Sequence, residues 1–187
     1  IYAPLSDRMG MNHIRDELED LSFAELNPDA RNLIVTRLSL SKLNRDNNFR
    51  SISTIFKKKI IDNKINSKIV GREKTPFSIW RKIQSKRISL EQLTDVIGFR
   101  VIVDDLDTCY KVLGIFHRNW STIPGKFKDY ISTPKINNYK SLHTAIIGPK
   151  NERVEIQIRT NQMHEFAERG IASHWLYKSS EKLNQIT

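Results

Sequence analysis

The sequence predicts a mixed α/β chain led by a helical N-terminal segment. Two observations carry this. Up to about residue 62 the apolar residues recur at helical spacing, and from residue 67 short β-branched runs alternate with helical stretches. Further on, Val154, Ile156 and Ile158 alternate with Arg153, Glu155, Gln157 and Arg159, the period of a strand with one apolar and one polar face.

In chain order, residues 12–26 read as a helix, with Ile14, Leu18, Leu21 and Phe23 near one face and acidic residues over the rest. Asn27-Pro28 punctuates, and Pro28 suits the first turn of a second helix. That helix is expected over residues 29–62, with a break around Asp46-Asn47-Asn48. Its run Lys57-Lys58-Lys59 reads as a solvated face before a phosphate contact. Lys68-Ile69-Val70 forms a short strand ending at Gly71, and residues 77–85 return to helix. Ser89 with Gln92 makes a capping box for another short helix. Val96–Val103 reads as a buried strand, 106–118 as a helix, and the lysine-rich stretch 122–141 as a long functional loop. Strands follow at 143–147 and 154–158, separated by Asn151-Glu152, and a last helix covers 161–173.

Composition narrows the function classes. With 187 residues and 39% hydrophobic content the chain can bury a core. No apolar stretch reaches the roughly 18–20 residues needed to span a bilayer. The single Cys109 excludes an internal disulfide framework and a cysteine-based zinc site. With no export signal at its start, the chain is expected to be cytoplasmic. A net charge of +10 points to a polyanionic partner. The chain opens on Ile1, and is read as a piece of a longer protein.

Several constellations could bind phosphates. Gly71-Arg72-Glu73-Lys74 followed by Ser78, Arg81 and Lys82 places cations on a strand–loop–helix corner. Gly71 is expected to let the strand turn closely under a ligand. Arg72 and Lys74 point the same way in extended chain, and Ser78 and Lys82 share a helix face. The corner is equally readable as a basic surface. No G-x-x-x-x-G-K-[ST] run occurs, so a P-loop is excluded. Asp95, at the mouth of the strand Val96–Val103, could pair with Glu155 around a Mg²⁺ ion, or could simply cap the strand. Lys126, Lys128, Lys135, Asn137, Tyr139, Lys140 and His143 interleave cations with aromatics, which suits a stacked base beside phosphates, in a mononucleotide or in single-stranded RNA. His164-Glu165 lacks the second histidine of H-E-x-x-H, since Glu168 stands in its place. Trp175 and Tyr177 read as core.

Six segments in order resemble the synthetase domain of the RelA/SpoT family, in its bifunctional form. They are G-R-E-K-T-P-F-S-I-W-R-K at 71–82, T-D-V-I-G-F-R-V-I at 94–102, G-K-F-K-D-Y-I at 125–131, P-K-I-N-N-Y-K-S-L-H-T at 134–144, V-E-I-Q-I-R-T at 154–160 and H-E-F-A-E-R-G-I-A-S-H-W at 164–175. The resemblance implies a nucleotidyltransferase-like mixed sheet flanked by helices. It implies an enzyme that moves a diphosphate from ATP to the 3′-OH of GDP or GTP, giving ppGpp or pppGpp and AMP. Carried over by motif, Arg72 and Arg100 would sandwich adenine, and Lys74, Ser78 and Lys82 would hold the ATP phosphates. Asp95 and Glu155 would carry Mg²⁺ and the chemistry. Tyr139 would stack on guanine, with Lys126, Lys128, Lys135, Asn137, His143, Gln157 and Arg159 around the acceptor. Lys126 stands where bifunctional members carry arginine, in a basic R-x-K-D signature.

The opening I-Y-A-P-L-S-D-R-M-G resembles the end of the family's hydrolase half, so residues 1–25 are expected to be its remnant and 26–187 the synthetase domain. No hydrolase activity is expected of the chain, and ribosome contact would require domains outside it. A homo-oligomer is compatible with this reading. The competing readings are a slow synthetase acting as a nucleotide sensor, an RNA-binding module, and a nucleotidyltransferase acting on RNA.

Overall fold

The computed structural model describes residues 1–40, 42–72, 74–87 and 97–170. The chain opens with four helices: α1 (Tyr2–Arg8), α2 (Asn12–Leu26), α3 (Pro28–Leu40) and α4 (Lys42–Asp62). Strand β1 (Lys68–Arg72) leads into α5 (Pro76–Lys86), and β2 (Ile97–Val103) into α6 (Leu106–Asn119). Two short strands, β3 (Ser121–Thr122) and β4 (Lys128–Asp129), precede β5 (Leu142–Ile147), β6 (Arg153–Thr160) and α7 (Asn161–Arg169). The strands form one mixed sheet in the order β1-β2-β6-β5-β3, with β4 also on β5. Among the described residues, only β2 and β6 run parallel, as the intervening α6-to-β5 crossover requires. The expected mixed sheet flanked by helices is therefore present.

Alternation divides the sheet into two chemistries. Phe99 pairs with Ile156, Val101 with Ile158, Leu142 with Ile158 and Ile146 with Val154, so one face is continuous hydrocarbon. Helix α4 lays Ile52, Phe56 and Ile60 on that face at i, i+4, i+8 spacing, and α6 adds Cys109, Val112 and Phe116. Phe56 is the hub, meeting Phe99, Phe116 and Trp120 edge-on with ring centroids 4.9 to 5.2 Å apart. A smaller apolar cluster joins Phe23 of α2, Ile34 of α3 and Ile79 of α5, packed by Phe77 and Trp80. It fixes α5 beside α2, which matters for the cleft below.

Local chemistry accounts for the helix starts. Thr75 caps α5, its hydroxyl accepting from the Ser78 N–H, with Pro76 in the first turn. Asp105 caps α6 by accepting from the Thr108 N–H at 2.7 Å, and Thr160 caps α7 through the Met163 N–H. Two glycines meet at another junction. Gly10 and Gly170 both have positive φ, and a Cβ on Gly170 would overlap the backbone of Met9, Gly10 and Met11. This contact seats the α1–α2 turn against the end of α7.

Three expectations need correction. The helix continues through Asp46-Asn47-Asn48; α3 and α4 instead flank residue 41. Asn48 is accommodated because its side-chain amide donates to Glu152 at 3.3 Å. Gly71 does not turn the strand under a ligand. It lies inside β1 on the apolar face, where a Cβ would come within 2.8 Å of the Phe49 ring. The stretch 122–141 is not structureless: β3, β4 and turns such as Asn138 N–H to Lys135 C=O order it. Lys57, Lys58 and Lys59 are exposed, as expected. The Ser89–Gln92 capping box, Asp95, Trp175 and Tyr177 lie outside the described residues, as do residues 171–173 of the last expected helix.

Phe56→Ala removes the ring on which three others converge. It is expected to cost about 3–5 kcal/mol, measured as a lowered urea midpoint with an unchanged transition slope.

Candidate functional site

The polar face of the sheet is the floor of a cleft of about 1330 Å³. The register explains why. Arg72 lies opposite Gly98, Gly98 beside Glu155, Arg100 beside Gln157 and Gln157 opposite His143, so all these positions share one face. Arg72, Arg100, Gln157, Arg159 and His143 line the cleft from below. Lys135, Asn137 and Tyr139 close one end, and Thr75 and Pro76 bring the N-terminal end of α5 to its edge. The opposite wall is α1 and α2, which contribute Asp7, Asn12, Arg15, Asp16, Glu17 and Asp20.

One carboxylate organises the floor. The same Glu168 oxygen lies 3.1 Å from the Arg100 guanidinium and 3.1 Å from that of Arg159. Arg159 is 2% exposed, and it also donates to His164 Nδ1 at 2.7 Å. Burial lowers the pKa of His164, which keeps Nδ1 free to accept. Burial works against the Arg159 charge too, with the nearby Tyr139 and Glu168 opposing that effect. Among the described residues, Arg100 Nε and Arg159 Nε are buried without a hydrogen-bond partner. One carboxylate between two guanidiniums leaves the floor cationic and ready for an anion.

Glu155 sits two residues before Gln157 on the same face of β6. Its two oxygens face two cations, Lys74 Nζ at 3.1 Å and Lys82 Nζ at 3.9 Å. Lys74 and Lys82 thus converge from the loop and helix that follow β1. Ser78 spends its hydroxyl as the acceptor of the Thr75 hydroxyl, at 2.9 Å.

At the other end, the Tyr139 hydroxyl and His143 Nε2 are 2.8 Å apart. Tyr139 is 9% exposed, and the Lys135 ammonium lies 5.1 Å from its ring centre and 4.9 Å from that of Tyr130. Lys135 thus shares two aromatic faces, a cation–π arrangement, and burial lowers its pKa. Burial, reinforced by Lys135, Arg72 and Arg159, depresses the His143 pKa to about 3, so its imidazole is neutral near neutral pH. Asn137 orders this corner by donating to the Asp7 carbonyl and accepting from the Tyr139 N–H.

Of the residues singled out in the sequence, Arg72, Arg100, Lys135, Asn137, Tyr139, His143, Gln157 and Arg159 come together in the cleft. Lys74, Lys82 and Glu155 form an adjacent cluster, and Ser78 supports the α5 cap. Lys128 lies beside His143 across the β4–β5 pairing, exposed, and Lys126 is exposed on the preceding turn. Neither lines the cleft. Asp95 lies outside the described residues, so the expected carboxylate pair is represented by Glu155 alone. Among the described residues no group of three or more His, Cys, Asp or Glu gathers to hold a metal ion. The acidic wall from α2 went unread, because a solvated helix face and a cleft wall have the same sequence pattern. In the sequence Glu168 stands out only as the residue that breaks H-E-x-x-H, although its i, i+4 spacing from His164 places the two on one face.

A mixed sheet with one face buried under helices and the other flooring a cationic cleft defines an α/β domain suited to a polyphosphate ligand. Residues 71–182 match the model of the region found in RelA / SpoT proteins, and the chain belongs to that family. It is 48% identical over 193 aligned residues to the GTP pyrophosphokinase rsh of Brucella melitensis, covering 98% of this chain and 24% of the relative. It is 43% identical to the GTP pyrophosphokinase of Myxococcus xanthus, again covering 97% of this chain and 24% of the relative. The chain therefore spans about a quarter of the length of these relatives. The crystal structure of the small alarmone synthetase 2 from Bacillus subtilis superposes with a TM-score of 0.52 at 30% identity, covering 80% of this chain and 81% of that one. Among the described residues no helix is long and apolar enough to cross a membrane.

The neutral His143 has a pH signature. Its folded pKa lies below the unfolded value, so the unfolded state takes up a proton first as pH falls through about 6.5. Stability is expected to fall from there toward pH 3, and His143→Gln should flatten that fall. Urea midpoints at pH 7.5 and pH 5 test this. The slope should not vanish, since burial also lowers the His117 and His164 pKa values.

Proposed function

We propose that this chain is the diphosphate-transferring module of a GTP/GDP pyrophosphokinase, moving the β,γ-diphosphate of ATP to the ribose 3′-OH of GDP or GTP. The observation that carries this reading is a single cationic sheet face. It sets Glu155, flanked by Lys74 and Lys82, beside a cleft that ends at Tyr139. Membership of the RelA/SpoT family and the names of the relatives support it.

The roles follow from charge and reach. Arg72 and Arg100, diagonal neighbours on the floor, would hold the adenine between planar guanidiniums. Lys74 and Lys82 would neutralise the ATP phosphates. Ser78 would act through the end of α5, where the helix dipole favours anions. Guanine would stack on Tyr139 once the Lys135 ammonium moves from the ring to the acceptor's phosphates. Asn137, His143, Gln157 and Arg159 would orient the acceptor, and exposed Lys126 and Lys128 would meet its outer phosphates.

Glu155 and Asp95 would hold Mg²⁺. A single carboxylate already flanked by phosphate-binding lysines fits an ion that takes one or two carboxylates and completes its shell with phosphate and water. When bound, Mg²⁺ would neutralise charge developing on the transferred group. Glu155 is also the candidate to accept the 3′-OH proton as oxygen attacks the β-phosphorus and AMP leaves. Most of the rate would come from positioning the two nucleotides in line. A cytoplasmic setting fits these substrates.

The test is a product analysis. The chain, labelled ATP, GDP or GTP and Mg²⁺ should yield AMP and a 3′-diphosphorylated guanosine nucleotide. Release of pyrophosphate instead would sink the reading in favour of nucleotide addition. Glu155→Gln should lower AMP release on the order of a hundredfold or more, with nucleotide affinity changing far less.

A further inference from the structure

We propose that Glu168 is a positioning residue that joins the donor half of the cleft to the acceptor half, by holding Arg100 and Arg159 to one carboxylate oxygen. The proposal rests on the reading above, in which Arg100 serves ATP and Arg159 serves the guanosine acceptor.

The geometry makes the need for such a residue plain. Arg100 lies beside Gln157, and Arg159 is the next residue of β6 on that face, so the two guanidiniums are diagonal neighbours. Like charges so placed repel, and weak solvation under the cleft wall strengthens the repulsion. Glu168 stands between them at 3.1 Å from each. It comes from a well-anchored element. Helix α7 follows β6 directly, Thr160 caps its start, and Asn12 donates to the Ala167 carbonyl at 2.7 Å, one residue before Glu168. His164, one turn earlier, accepts from the same Arg159 nitrogen that reaches Glu168, and so fixes the direction of approach. A carboxylate needed only to anchor α7 could do so with one arginine. Here a single oxygen serves two arginines from two strands, each assigned to a different substrate.

The experiment measures binding of a non-hydrolysable ATP analogue and, separately, of GDP to the full chain by calorimetry. Thermal unfolding serves as a folding check. Glu168→Ala is expected to weaken both nucleotides roughly tenfold or more, since it takes from buried Arg159 and half-buried Arg100 the carboxylate they share. Arg100→Ala should weaken the ATP analogue alone. Glu168→Gln keeps an acceptor oxygen but not the charge, and should weaken both to a smaller degree. Affinities of a folded Glu168→Ala within about twofold of the parent, or loss of one nucleotide only, would overturn the proposal. If Glu168→Ala does not fold, Glu168→Gln decides: parent-like affinity for both nucleotides overturns it, and loss of both supports it. A parent chain that binds both nucleotides yet releases no AMP sinks the pyrophosphokinase reading and leaves Glu168 to be judged on these affinities. A parent chain that binds neither overturns both.

Discussion

The structure depends on the parallel pairing of β2 with β6. That one contact sets Phe99 beside Ile156 on the lower face and Arg100 beside Gln157 on the upper face. A slip of one residue would send the arginines and Glu155 into the hydrocarbon of α4 and α6, where unpaired charge is prohibitively costly. Register and site are therefore the same constraint. The aromatic cluster around Phe56 makes the lower face expensive to expose, and so holds the upper face in the alignment that forms the cleft.

Charge in the cleft is deliberately unbalanced. The floor carries Arg72, Arg100 and Arg159, and the carboxylates nearest it are each shared between cations: Glu168 between two arginines, Glu155 between two lysines. The acidic residues of α2 stand on the far wall, and two of them are engaged locally, as Arg15 pairs with Asp16 and Arg31 with Asp20. A polyphosphate would thus meet cations below and a carboxylate rim above, which orients it as well as attracting it.

Much of this was legible in the sequence, for physical reasons that can be named. The period of two from Val154 to Arg159 fixed both the buried and the cleft-facing sets of β6, and the helix expected over 77–85 lies within α5, one residue short at each end. Other features need long-range information. Gly71 looked like a ligand-side glycine because sequence cannot show that Phe49 occupies the space above it. The asparagines at 47 and 48 looked like a break, but the stripe Phe49–Ile52–Phe56–Ile60 outweighs their weak helix propensity. The carboxylate bridge of Glu168 was invisible, since it joins residues separated by a whole crossover. The α2 wall was missed because Asp16 and Asp20 read as surface until α5 and the sheet are placed opposite them.

The family match begins at residue 71, yet the apolar underside of the sheet is roofed by α4, which ends at Asp62. Trimming the chain to its matched portion would strip Phe99 of the Phe49 and Phe56 rings and leave α6 as the remaining cover, baring an oily strip prone to sticking to its own kind. The packed core therefore reaches beyond the family match. A helix that lies ahead of the matched motifs thus supplies half of the ceiling they share with α6.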